Sequence, residues 1–133
     1  MQKIIQKLLL FFTVIILSLP ANADVVKPAL VEVSVFSDGS TFVQIRTSLE
    51  ALLTGINGQY RNTQDAPNSK EYDRYRELGP DQLKTVFEDF YAELLDGISL
   101  TVDDRKIPLS VSMIDVPPRG YTKVPRTSVI ELA

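Results

Sequence analysis

The sequence predicts a mainly β domain: a small antiparallel β-sandwich or open sheet with a helical insertion packed on one side. Three observations predict it. Alternating β-branched runs recur along the chain, Asp38-Gly39 separates the first two of them, and the segment after Pro80 changes to a helical period. A period of two marks a strand with one buried face, and a period near 3.6 marks an amphipathic helix.

Residues 29–36 read Ala-Leu-Val-Glu-Val-Ser-Val-Phe, with Val31, Val33 and Val35 on one face and Leu30, Glu32, Ser34 and Phe36 on the other. This is a strand expected to bury one face. Asp38-Gly39 supplies the positive φ of a tight turn. Residues 41–49 form the return strand, alternating Val43, Ile45 and Thr47 with Phe42, Gln44 and Arg46. Residues 50–56 read as a short helix stopped by Gly55 or Gly58. Residues 57–70 are polar and read as a surface loop. Ser69 is the expected N-cap of a short helix reaching Leu78, and Gly79 ends it.

Pro80 suits the first position of a second helix, with Asp81 near its positive end. Leu83, Val86, Phe87, Phe90, Leu94 and Leu95 form one stripe, so a single helix is expected over 80–95, closed by Gly97. Burial of such side chains is worth about 1.5–3 kcal/mol each, so this stripe is expected against a sheet. Strands follow at 98–102 and 107–116, separated by the polar turn 103–106, with a last strand at 127–132. Pro108 places its strand at an edge or near a strand start. Five strands in hairpins give the fold its expected immunoglobulin-like character. The chain stops at Ala133 inside the last strand pattern, which points to a domain truncated at its C-terminus, unless that strand completes the sheet as written.

The first 23 residues read differently. Lys3 and Lys7 precede a twelve-residue apolar run, Leu8 to Leu19, and Ala21-Asn22-Ala23 follows Pro20. A positive head, a short apolar core and a small-x-small exit are the parts of a cleavable export signal. A membrane span needs about 20 apolar residues, more than this run provides. Residues 24–133 are then expected to form one extracytoplasmic domain, periplasmic in a bacterium. It carries all 17 acidic residues against twelve basic ones, a side-chain charge of −5. That balance argues against a nucleic-acid partner. The sparse grouping Arg119, Lys123 and Arg126 reads as solvated loop charge.

The chain has no Cys and no His. Nucleophilic triads built on imidazole or thiol are therefore excluded, as are His/Cys metal sites. Asp103-Asp104 is followed at once by Arg105-Lys106, a poor start for a cation site and a good solvated turn. A hydrolase using carboxylates alone needs two acids facing each other about 5–9.5 Å apart. The acidic run Glu88, Asp89, Glu93 and Asp96 reads instead as a solvated helix face. No catalytic, cofactor-binding or metal-ligating residue is assigned, and the domain is expected not to be an enzyme. Tyr72, Arg74, Tyr75 and Arg76 are the candidate partner-contact residues, because Tyr and Arg are enriched at interfaces. The competing reading packs both rings beside the following helix and pairs the arginines with Glu71, Asp73 and Glu77. Sheet edges near Pro108 or at the terminal strand are candidate acceptors of a partner strand.

Several stretches carry a family resemblance: residues 48–56 (Ser-Leu-Glu-Ala-Leu-Leu-Thr-Gly-Ile), residues 67–73, Leu78-Gly79-Pro80 opening a helix that ends near Gly97-Ile98, and Val116-Pro117-Pro118. In these the chain resembles the exported N-terminal region of bacterial membrane proteins of the HupE/UreJ-like family. The resemblance implies a β-rich outer domain followed by transmembrane helices associated with nickel or cobalt transport. It also implies a membrane-embedded region or membrane protein as partner and the outer face of the inner membrane as location. The family's histidine-bearing membrane motif has no counterpart here, so no metal ligand carries over. The leading expectation is a non-catalytic periplasmic accessory or sensing domain of such a protein. The alternative is a free-standing periplasmic binding or chaperone-like module.

Overall fold

Val43, Ile45, Ile114, Ile130 and Leu132 all bury side chains on one side of a single sheet, and Leu83 and Phe87 close over them from a helical layer. The computed structural model describes residues 24–120 and 125–133. The export signal expected over 1–23 lies outside them, as does Lys123. Strands β1 (Leu30–Val35), β2 (Thr41–Thr47), β5 (Val111–Asp115) and β6 (Ser128–Leu132) form a four-stranded antiparallel sheet in the order β1-β2-β6-β5. Among the described residues, strands β3 (Leu100–Val102) and β4 (Arg105–Ile107) pair only with each other. Four α-helices complete the described residues: α1 (Leu49–Thr54), α2 (Ser69–Arg76), α3 (Pro80–Glu88) and α4 (Tyr91–Asp96).

The open-sheet expectation describes this architecture, but strand and helix contribute about equally, so the fold is mixed rather than mainly β. The layer facing the sheet is helical, where a sandwich would place a second sheet. The strand expected over 107–116 divides: β4 ends at Ile107, Pro108 lacks the N–H to extend a ladder, and β5 starts afresh at Val111. The terminal strand does not sit at an edge. β6 is inserted between β2 and β5, pairing Ile130 with Ile45 on one side and with Ile114 on the other. Beyond it, Ala133 and Ser110 exchange backbone hydrogen bonds of 3.0 and 3.1 Å.

The helices begin and end where local chemistry directs. Ser48 caps α1 by accepting the Ala51 N–H, and Gly55 ends it at φ +69°, a left-handed conformation that costs glycine little. α2 starts after Asn68 rather than from a Ser69 cap; the Asn68 amide instead donates to the Thr54 carbonyl at 3.0 Å. Pro80 opens α3, and Gln82 Oε1 accepts the Gly79 N–H at 3.1 Å. The single helix expected over 80–95 is two. The Phe90 N–H turns back to Phe87 O at 2.9 Å, a three-residue closure that tightens the backbone at Asp89-Phe90. Phe87 then packs against both Phe90 and Tyr91, with ring centroids 5.5 and 5.8 Å apart. The polar segment 57–70 is not a plain surface loop: it holds a 3-10 turn at Thr63–Asp65, and Thr63 and Ala66 are buried.

Candidate functional site

Register places Val31, Val33 and Val35 of β1 on the same sheet face as Val43 and Ile45 of β2. The two sets meet different surroundings. Val43 and Ile45 are 3% and 7% exposed, whereas the three valines are 50–56% exposed, because the helical layer stops at β2. The strand expected to bury one face therefore buries neither: every residue of β1 is exposed, and Leu30 and Phe36 are about half exposed as well.

Among the described residues β1 is also an open edge. Phe36 and Ser40 are joined by a 2.9 Å bond from the Phe36 N–H to Ser40 O, and the Gly39 N–H donates to Phe36 O at 2.9 Å. Gly39 takes φ +83°, the left-handed third residue of a three-residue hairpin loop. Asp38 holds this turn by accepting from the Ser40 N–H and hydroxyl, and these hydrogen bonds keep its carboxyl below the usual carboxylate range. Antiparallel ladders alternate bonded and non-bonded pairs. With Phe36 bonded toward β2, the N–H and C=O groups of Val35, Val33 and Val31 point away from β2, to the free edge. Glu32, the one charged residue in β1, sits 3.3 Å from Arg46. A polar chain continues across the outer face from Arg46 to Gln44 at 2.7 Å and from Gln44 to Glu131 at 3.2 Å.

The opposite edge is blunted. β5 carries a register shift between Val111 and Met113, Ser112 turns its hydroxyl back to Glu131 O at 3.0 Å, and Pro117-Pro118 follow the strand. Bulges, prolines and charges are the usual means of closing an edge to further pairing. Neither edge expected from sequence is the open one: the terminal strand is interior, and Pro108 lies between strands.

Beneath the entry to β1 lies a buried charge network. Arg126, expected as solvated loop charge, is 7% exposed. Its Nε donates to Glu50 Oε1 at 2.7 Å, Nη1 to Leu78 O at 2.8 Å and Nη2 to Tyr75 O at 3.1 Å. Ser48 Oγ donates to the other Glu50 oxygen at 3.0 Å. Planar guanidinium geometry allows one side chain to serve three acceptors, and here it ties the start of β6 to α1 and to the α2–α3 junction. A second pair joins Arg76 to Asp24, beside Thr63. Burial lifts the Asp24 carboxyl above its usual value against the pull of Arg76. A cavity of about 200 Å³ lies alongside, lined in part by Lys27, Arg46 and Arg126. Of its cations, Arg126 is committed to Glu50 and Arg46 to Glu32.

The four candidate contact residues are divided. Tyr72 is fully buried, with the Arg76 guanidinium 5.6 Å over its ring. Among the described residues its hydroxyl has no hydrogen-bond partner, and burial together with nearby Asp24 pushes it up to about 12. Arg74 is exposed and pairs with Glu71 at 3.1 Å, whereas Tyr75 packs partly buried against the core and donates its hydroxyl to Glu71 at 3.1 Å. Any contact through this segment would pass through Arg74 and the rim of Tyr75. Arg119 is exposed and pairs with Glu77 at 2.9 Å.

Glu88, Asp89, Glu93 and Asp96 are exposed, and Asp103 and Asp104 occupy a left-handed turn at φ 48° and 61°. Among the described residues no group of three or more acidic side chains is placed to hold a metal, and no helix is long and apolar enough to cross a membrane. The signal that would have found the β1 edge was present in the alternating valines, but alternation reports which residues share a face, not whether anything covers it. The chain matches no family model, no curated protein and no solved structure.

Proposed function

We propose that this chain is an exported, non-catalytic domain that acts by contact at the β1 edge, as the outer accessory or sensing domain of a HupE/UreJ-like membrane protein related to nickel or cobalt transport. The observation that carries the contact reading is β1 itself: a strand rich in valine that, among the described residues, is uncovered on both faces and leaves a row of backbone donors and acceptors unpaired. Exposed edges of this kind pair with other strands. The membrane assignment rests on the export pattern of residues 1–23 and on the family resemblance of the segments at 48–56, 67–73 and 78–80.

The test is a photo-reactive residue at Val33, activated in cells of the source organism. Capture of a membrane protein through that position, a membrane-anchored second copy of this chain included, is the expected result. In parallel, the chain recovered from the extracytoplasmic fraction should begin at Asp24, and the coding sequence beyond Ala133, or an adjacent gene, should encode hydrophobic spans. A chain that begins at Met1 in the cytosol, or a purified chain that turns over a substrate, overturns the reading. A free-standing binding or chaperone-like module is the second reading, favoured by the same unpaired strand; capture of soluble clients alone through position 33 would select it.

A further inference from the structure

We infer that the occupant of the β1 edge is a second copy of this chain, paired antiparallel across a two-fold axis at Val33 to give a continuous eight-stranded sheet. This rests on the reading of β1 as a contact edge and names its partner.

The argument is one of self-complementarity. A two-fold interface brings the same patch together from both molecules. With Val33 on the axis, Val31 of one copy lies opposite Val35 of the other, Leu30 opposite Phe36, and Glu32 opposite Ser34. Apolar residues that are half exposed in the single chain therefore meet apolar residues. The outward-pointing backbone groups of Val31, Val33 and Val35 meet their counterparts in bonded pairs.

Charge agrees with this register. Each Glu32 faces a serine, and the two Glu32 side chains are only diagonal neighbours, each already neutralised by its own Arg46 at 3.3 Å. The strand has unlike ends: Lys27 precedes it and the Asp38 turn follows it. Antiparallel pairing brings the Lys27 end of one copy beside the Asp38 end of the other. The bulged β5 edge does not offer such a ladder, so pairing closes at two copies rather than running on from β1 to β5. A contact one strand wide is small for an interface, and a dissociation constant of ~10–100 µM is expected.

The absence of cysteine makes the register directly readable. Bonded antiparallel partners have Cα atoms about 5.5 Å apart, within the range a disulfide spans. In the purified full chain at about 100 µM, Val33→Cys should oxidise to a disulfide dimer. Val31→Cys alone and Val35→Cys alone should not, since like positions lie about 13 Å apart, four residues along the strand. An equal mixture of those two variants should cross-link. At that concentration the unmodified chain should show a weight-average mass about 1.5–1.8 times the monomer's in sedimentation, as mass action at the expected affinity requires, and Val33→Lys should return it to the monomer mass with an unchanged circular dichroism spectrum.

Equal cross-linking at all three positions overturns the register. A chain that stays monomeric and a Val33→Cys variant that stays reduced overturn the second copy. If the photo-reactive group at position 33 still captures another protein in cells, the contact reading stands with a different partner; if that capture fails too, both fall.

Discussion

The two edges of the sheet, β1 and β5, are built in opposite ways. β5 shifts register between Val111 and Met113, carries Asp115, and is flanked by Pro108 and Pro117-Pro118. β1 also has a proline before it, Pro28, but runs six residues without a register shift, and its one charge is paired with Arg46. The same contrast runs through the helical layer, which covers β2, β6 and β5 and stops short of β1. An edge that is kept regular, apolar and uncovered is an aggregation hazard unless something pairs with it. The difference teaches that stability and contact are assigned to separate parts of this molecule. The covered strands hold the fold, and β1 is left for an encounter.

The comparison can be broken first at its strongest point. Arg126 clamps the start of β6 to the helices, and removing one partner of a buried ion pair leaves the other uncompensated. Arg126→Met should destabilise the fold by about 3–5 kcal/mol, measured by urea denaturation; a loss under about 1 kcal/mol would mean that the clamp does not organise the covered half.

Matched substitutions then sharpen the contrast between the two strands. Val43→Ala, in the covered strand, should cost about 2–3 kcal/mol through lost burial and the cavity left behind. Val33→Ala, in β1, should change stability by less than about 0.5 kcal/mol under monomeric conditions. Equal effects at the two positions would show that β1 is covered in solution.

An effect of the opposite sign is expected in the anchor below β1. Tyr72→Phe removes a buried hydroxyl that has no partner, so at neutral pH it should leave stability unchanged or raise it by up to about 1 kcal/mol. Its pH dependence has a definite sign. The phenol is raised from 10.0 to about 12 in the fold, so the neutral form is the one favoured there. Its contribution is present in full below pH 10 and is lost as pH rises through about 12. Urea midpoints at pH about 9 and about 11 should therefore diverge more for the native chain than for Tyr72→Phe.

Much of the local structure was legible in the residues. The β1–β2 hairpin, the left-handed Gly39, the stop at Gly55 and the start at Pro80 all follow from patterns spanning a few positions. The candidate contact surface was not legible in the same way. Tyr72 and Arg76 carry an interface-like composition yet turn inward to Asp24, while the valines of β1 carry a core-like pattern yet face solvent. Arg126 looked like loop charge because its acceptors, Glu50, Tyr75 and Leu78, lie 48 to 76 residues away along the chain.

The sequence by itself determined the alternation of strands, the turn types and the helix starts, because each depends on side chains two to four residues apart. Tertiary structure alone decided that β6 lies between β2 and β5, that the helix after Pro80 breaks at Asp89-Phe90, and that cover ends at β2. Those outcomes depend on which distant segments meet. Val31-Val33-Val35 and Val43-Ile45 share one hydrophobic period and one sheet face, and only the placement of Leu83 and Phe87 makes the second set core and leaves the first as surface.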